Sequence, residues 1–298
     1  MYCSPSRKGY KDVCLTLAEL RSVAALFNAN GGIPTIPQFT FKTREKLIDA
    51  LNFRFKDVCG KSEDHCWIEQ PIIKSSTLYS KLTSNYRPAK PNSWDKNKRE
   101  WLNTYDILYV MKQYEEKYKN FEFLGVFPVD FANTSTGVCS INNMCDFSIT
   151  KLKEKGKTKF ATVLNLDKHN EPGSHWVACF CNLDPKSIQY GISYFDSGGI
   201  KPPKYIADFM KVVVDQNKEI NPKHASKFKT SYNPDQKQFQ NTECGVFSIF
   251  FTTLCLRYPH LSYRENRKKI KTDRHDNYVH SLRKYYWRPI PKKLKKSI

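Results

Sequence analysis

The chain has 298 residues, 40% hydrophobic and 14% aromatic, a composition that buries a sizeable core and excludes a disordered chain. No apolar run approaches the roughly 20 residues of a membrane span. Residues 1–5 lack the charged head and apolar stretch of a signal peptide, so a soluble intracellular protein is expected. The excess of 49 basic over 29 acidic residues, +20 in all, favours a polyanionic contact such as DNA.

Ten cysteines would imply a disulfide scaffold only in a short secreted chain, so mostly reduced thiols are expected. There is no Cys-x-x-Cys pair: one residue separates Cys179 from Cys181, and six separate Cys59 from Cys66. That spacing argues against a structural zinc site and leaves room for one reactive thiol.

In chain order, residues 15–53 read as two helices around an extended piece. Leu15, Leu17, Leu20 and residues 23–26 mark the first, with Thr16 or the residues just before it as a cap, and residues 28–34 break it. Leu47, Ile48, Leu51 and Phe53 mark the second. The pair looks somewhat like a helix-extended-helix module that binds DNA. Residues 85–98 read as a linker or an ordered extended arm. Residues 103–119 are helical again, with Ile107, Leu108, Met111 and Tyr114 on one stripe.

The texture then changes to short strands at residues 160–166, 175–181 and 188–195, the last two separated by a hairpin loop. A helix opened by Pro202 and Pro203 presents Ile206, Phe209, Met210 and Val213 on one face. A short strand near residues 228–232 follows, and from Cys244 an apolar helix runs until Pro259. The order is α+β, a helix carrying Cys244 beside a mainly antiparallel sheet. From Arg264 onward there are thirteen Lys and Arg against three acids. Tyr278, Leu282, Tyr285 and Tyr286 keep helical spacing there, and residues 292–296 read as a solvated basic tail. The expected division is an accessory domain and linker at 1–100, a catalytic domain at 101–290 and a tail at 291–298.

Cysteine nucleophiles need a thiolate, a neighbouring base and a group that orients the base. Cys244 stands where the polar loop 236–243 meets a helix N-terminus, whose unpaired N–H groups lower a thiol pKa and can hold an oxyanion. Gly245 lets the backbone pass close to a neighbouring loop. His175 opens one strand and Asp196 closes the next, so a hairpin brings them to the same end of the sheet. There the carboxylate can fix the imidazole tautomer. A packed histidine, a turn aspartate and a buried helical cysteine are the bland alternatives. The three together at this spacing favour the chemistry.

Two decoys compete. Asp196-Ser197-Gly198-Gly199 resembles the nucleophile turn of chymotrypsin-like serine proteases, but Phe195 stands where a glycine belongs. His169 is a second candidate base, set in the polar loop 167–174 beside Asn170 rather than on a strand.

The pattern His175-Trp176, then Tyr194-Phe195-Asp196-Ser197-Gly198-Gly199, then Gln238 six residues before Cys244-Gly245, resembles the clan of cysteine proteases that contains the ubiquitin-like-protein proteases and adenain. Within it the pattern is most like the maturation proteases of large DNA viruses such as African swine fever virus and poxviruses. The resemblance is clear over residues 160–260. It implies a papain-like, adenain-like core with an N-terminal helical extension. It also implies His175 as base, Asp196 as its partner, Cys244 as nucleophile and Gln238 as the oxyanion-hole residue, with Gln240 and Asn241 as rivals. Trp176 would shape the cleft. Some relatives carry Asn at the place of Asp196, and either accepts from an imidazole N–H.

The implied reaction is peptide hydrolysis through an acyl-enzyme, with no metal or cofactor. Its implied substrates are structural precursors cut at Gly-Gly-x-like sites during virion maturation. One rival is an isopeptidase that removes ubiquitin or another ubiquitin-like modifier. The other is a nucleic-acid-binding scaffold with an inactive protease fold. A virion and host-cytoplasm location follows from the same resemblance.

Overall fold

The computed structural model describes residues 2–7, 13–31, 35–36, 43–59, 64–132, 142–270 and 275–291. The chain divides into two compact units, Met1–Lys96 together with Lys284–Ile298, and Asn97–Arg283. Residues 284–290 therefore group with the N-terminal unit rather than with the catalytic region where the sequence placed them.

In the N-terminal unit α1 (Leu17–Ala29) starts at Thr16, whose hydroxyl accepts from the Glu19 N–H while the Glu19 carboxylate accepts from the Thr16 N–H, a reciprocal cap. Helix α2 (Arg44–Cys59) buries Leu47, Ile48, Leu51 and Phe55. Phe53 was expected on that stripe but is exposed: two residues beyond Leu51 it turns to the far side of the helix, and Phe55 takes the core position. Three short helices follow, α3 (Asp64–Trp67), α4 (Pro71–Lys74) and α5 (Tyr79–Thr83). Trp67 stacks on Phe55. The arm at residues 85–98 is ordered, with Tyr86 and Trp94 buried and Arg288 exchanging backbone hydrogen bonds with Pro88 and Lys90. The middle of the expected helix-extended-helix, residues 32–34 and 37–42, and the basic tail at 292–296 lie outside the described residues.

Disulfides join Cys3 to Cys14 and Cys59 to Cys66, and Cys145 is also disulfide-bonded. This corrects the expectation of mostly reduced thiols. Thiol spacing alone does not show which sulfurs the folded backbone brings within bonding reach.

In the second unit α6 (Thr104–Lys117) precedes β1 (Phe121–Pro128), followed by α7 (Asn142–Cys145) and α8 (Ile149–Glu154). Then come β2 (Lys159–Asn165), β3 (Trp176–Asn182), β4 (Gly191–Phe195), α9 (Lys204–Ile220) and β5 (Lys229–Tyr232). Helices α10 (Cys244–Arg257), α11 (Tyr263–Lys268) and α12 (His275–Ser281) complete it, and α13 (Arg283–Tyr286) carries the chain back into the first unit.

The sheet runs β1-β2-β3-β4-β5 in sequence order. The two inner pairings are antiparallel as expected, whereas β1 with β2 and β4 with β5 are parallel. The difference has a topological cause. The outer pairs are joined through helices, which carry the chain back to the end where the preceding strand began, whereas the shorter inner connections suit antiparallel neighbours.

Helix α9 lays Ile206, Phe209, Met210 and Val213 on one face of the sheet, against Phe160, Cys179, Ile192 and Tyr194. Each fully buried large side chain contributes about 1.5–3 kcal/mol of transfer free energy. Helix α10 packs on the other face, where Phe251 stacks on Phe195 and the Ser248 hydroxyl donates to the Trp176 carbonyl. Every residue from Cys244 to Leu256 is buried, which explains why this helix reads as apolar all round.

Candidate active site

The β3–β4 hairpin puts Ala178 opposite Phe195, so His175 just before β3 and Asp196 just after β4 lie at the same end of the sheet. His175 Nε2 is 2.7 Å from Asp196 Oδ1. Asp196 is completely buried, and its Oδ1 also accepts the Gly198 N–H at 2.7 Å. The parallel pairing of β4 with β5 brings Asn233 alongside, where its amide donates to the Asp196 carbonyl at 2.8 Å.

Cys244 is the first residue of α10 and is 2% exposed. The His175 side chain is hydrogen-bonded to it as well as to Asp196, leaving Nδ1 as the ring nitrogen for the sulfur once Nε2 serves the carboxylate. Burial pulls the His175 pKa down. The hydrogen bonds to Asp196 and Cys244, and the charges of both, outweigh it and raise the pKa to about 10. Burial pushes the Cys179 thiol up to about 12 and raises Cys181 and Cys255 as well. They are packed core residues.

The turn after Asp196 docks the loop that leads to the cysteine. The Ser197 carbonyl accepts from the N–H groups of Lys237 and Gln238, at 2.7 and 2.9 Å. Gly199 has φ +78°, and a Cβ there would lie 2.7–3.0 Å from the backbone of residues 234–236. Only glycine combines that backbone with that approach. Among the oxyanion candidates, Gln238 is buried while Gln240 and Asn241 are exposed. The Gln238 Oε1 accepts the Ser197 hydroxyl at 2.6 Å, and its Nε2 donates to the Gln240 carbonyl.

Trp176 is nearly buried, and its indole N–H donates to the Leu102 carbonyl at 2.9 Å. A Cβ on Gly245 would meet the Leu102 side chain at 3.0–3.2 Å. Leu102 therefore fills the space that Gly245 leaves and holds Trp176 beside the site.

The decoys separate cleanly. The Ser197 hydroxyl is fully buried and spent on Gln238, with no base on it. His169 pairs with Asp130 through Nδ1 at 2.7 Å, its side chain 58% exposed.

Sequence reading missed Leu102, the structural part of Ser197, and a buried carboxylate directly before the cysteine, Glu243. Glu243 meets Arg283, His280 and Arg99, partners at least 37 residues away in sequence, so no local pattern announces them. Among the described residues no cluster of three or more His, Cys, Asp or Glu is placed to hold a metal, and no helix is long and apolar enough to cross a membrane.

Residues 160–290 match the model of the Ulp1 protease family, C-terminal catalytic domain. A thiol protease of Acanthamoeba polyphaga mimivirus is 30% identical over 256 residues, 85% of this chain and 77% of that protein. A cysteine protease of African swine fever virus is 26% identical over 209 residues, 66% of this chain and 73% of its own length. The crystal structure of an African swine fever virus protease superposes with a TM-score of 0.63 over 97% of this chain and 96% of that one, at 18% identity. That likeness extends the agreement in fold beyond the matched catalytic segment. The mimivirus match, with the family model behind it, identifies the chain as a cysteine protease of the Ulp1 family.

Proposed function

We propose that the protein is a cysteine endopeptidase whose nucleophile is Cys244, with His175 as acid and base and Asp196 as the group that orients His175. The observation that carries this reading is the placement of His175 against both Asp196 and Cys244 at the N-terminus of α10. The thiolate attacks the scissile carbonyl, and the oxyanion forms near the first N–H groups of α10 and the Gln238 amide. The imidazolium gives its proton to the leaving amine. Water, deprotonated by His175, then attacks the thioester, returning the thiolate and releasing the acid product.

The substrates proposed are structural precursors cut at small-residue sites such as Gly-Gly-x during virion maturation. Support comes from the family and from the viral origin of its relatives. Trp176 and Leu102 beside the cysteine favour residues without bulk before the cut. A second reading has a specific ground: African swine fever virus relatives 25% identical to this chain carry the name SUMO-1 cysteine protease. Removal of a ubiquitin-like modifier would use the same apparatus. The third, an inactive scaffold, is disfavoured by the complete set of His175, Asp196, Gln238 and Cys244.

Cleavage of a peptide library rich in Gly-Gly-x, beside fusions carrying a folded ubiquitin-like domain, discriminates the readings. Efficient peptide cleavage by wild type and none by Cys244→Ala is expected. Cleavage confined to the folded fusions would move the assignment to the isopeptidase.

A further inference from the structure

Glu243 occupies a place that is electrostatically adverse for a protease of this kind. It is completely buried, immediately precedes Cys244 and serves as the N-cap of α10. A carboxylate at an N-cap ordinarily folds back to accept the first helical N–H groups. Here that would occupy the donors that a thiolate and an oxyanion need, and would set a negative charge beside the sulfur. The Glu243 side chain instead makes no capping hydrogen bond. The first intrahelical bond joins the Phe247 N–H to the Glu243 carbonyl, and the N–H groups before it remain uncapped by this side chain.

The carboxylate is turned toward partners on the far side from the helix N–H groups. Arg283 Nε donates to Oε2 at 2.9 Å, and His280 Nδ1 lies 2.8 Å from Oε1. The Arg99 guanidinium lies 3.7 Å from Oε1 as well. Arg283 is itself anchored, with Nη2 donating to the Glu100 carbonyl at 2.7 Å, and Arg99 is tied to Asn277 on α12 at 2.8 Å. On the same helix Asp276 accepts the Phe239 N–H at 2.9 Å, so α12 also steadies the loop that carries Gln238. Asp106 on α6 is the further acid within the electrostatic reach of Arg283.

The geometry points to Arg283 and His280 as positioning residues that hold the Glu243 carboxylate off the N-terminus of α10, keeping its first N–H groups available to the Cys244 sulfur and to the oxyanion. The role rests on Cys244 being the nucleophile. Neither residue touches the reacting atoms; both act through Glu243.

The test is the pH dependence of iodoacetamide alkylation of Cys244 in the full-length protein, located by peptide mapping. Wild type would be compared with Arg283→Ala, Arg283→Lys, Glu243→Gln and the double variant Arg283→Ala/Glu243→Gln, with peptide-cleavage kcat and KM measured in parallel. Freed from Arg283, the carboxylate moves the alkylation midpoint up by about one pH unit, the scale of a nearby like charge. It also lowers kcat more than KM. Arg283→Lys, which keeps the charge but loses the fork, falls between, and serves if Arg283→Ala does not fold. Removing the charge from Glu243 in the double variant brings the midpoint back to that of wild type. A merely structural contact gives no such return. An unchanged midpoint in both Arg283 variants, or a double variant no nearer wild type than Arg283→Ala, overturns the inference. A wild-type Cys244 that resists alkylation throughout overturns the nucleophile reading and this inference with it.

Discussion

His175 and Asp196, 21 residues apart in sequence, meet at 2.7 Å because the β3–β4 hairpin returns the chain to the end of the sheet where it began. Asp196 is buried and already holds the Gly198 N–H, so its carboxylate cannot swing away from the imidazole without breaking the turn. The pair takes up Nε2 of His175 and so leaves Nδ1 as the ring nitrogen for Cys244.

Burial lowers the pKa of His175, but hydrogen bonding to Asp196 and Cys244 raises it above its unfolded value of 6.5 to about 10. A raised cationic group contributes stability that is fully present below pH 6.5 and is lost as pH climbs through about 10. Activity should have an alkaline limb where the imidazolium proton is lost. Asp196→Asn removes the charge and should move that limb down by about one to three pH units, read from kcat/KM profiles. A limb that stays in place would mean Asp196 does not support the His175 cation.

Ser197 fixes the Gln238 amide, and Gln238 is the buried candidate among the three for the oxyanion hole. Gln238→Ala should lower kcat about 100- to 1,000-fold with little change in KM. Ser197→Ala should give a smaller loss of the same kind. Gln240→Ala and Asn241→Ala, at exposed positions, should retain activity, and the kinetic constants of the four variants decide the assignment.

Gly199→Ala forces a side chain into left-handed backbone and against the chain at residues 234–236. A cost of about 1–3 kcal/mol is expected, measured by denaturant unfolding, together with loss of activity as the Gln238 loop is displaced. Phe160→Ala, far from the site but packed against Phe147 and Phe209, should cost about 3–5 kcal/mol. It should leave the pH profile unmoved in the fraction that stays folded.

The buried free thiols supply an internal control. Cys179, Cys181 and Cys255 are shut in the core with ionisation pushed upward, so native protein should take up alkylating reagent at none of them near neutral pH. Mass spectrometry after brief treatment, with and without denaturant, reads this directly.

Much of the catalytic unit was legible because its signals are local. The strands at 160–166 and 175–181 were placed within a residue of β2 and β3, since strands buried on both faces read as unbroken apolar runs. The stripe on α9 came from its 3.6-residue period, and the candidates His175, Asp196 and Cys244, which the fold brings together, from motifs at element ends. Strand β1 was missed: Gly125 interrupts it, with a register shift against β2, and Pro128 ends it. The parallel outer pairings and the partners of Glu243 depend on contacts between distant segments, and the disulfides on loop and helix-end geometry that brings nearby cysteines together. No periodicity encodes those, so they became visible only in the fold.

The most direct test of Cys244 as nucleophile is trapping with a Gly-Gly peptide that ends in an electrophilic warhead, followed by intact mass and peptide mapping. One adduct on Cys244 is expected in wild type, lost in Cys244→Ala and slowed about 100- to 10,000-fold in His175→Ala. An adduct on a different residue, or Gly-Gly-x cleavage that persists in Cys244→Ala, would contradict it.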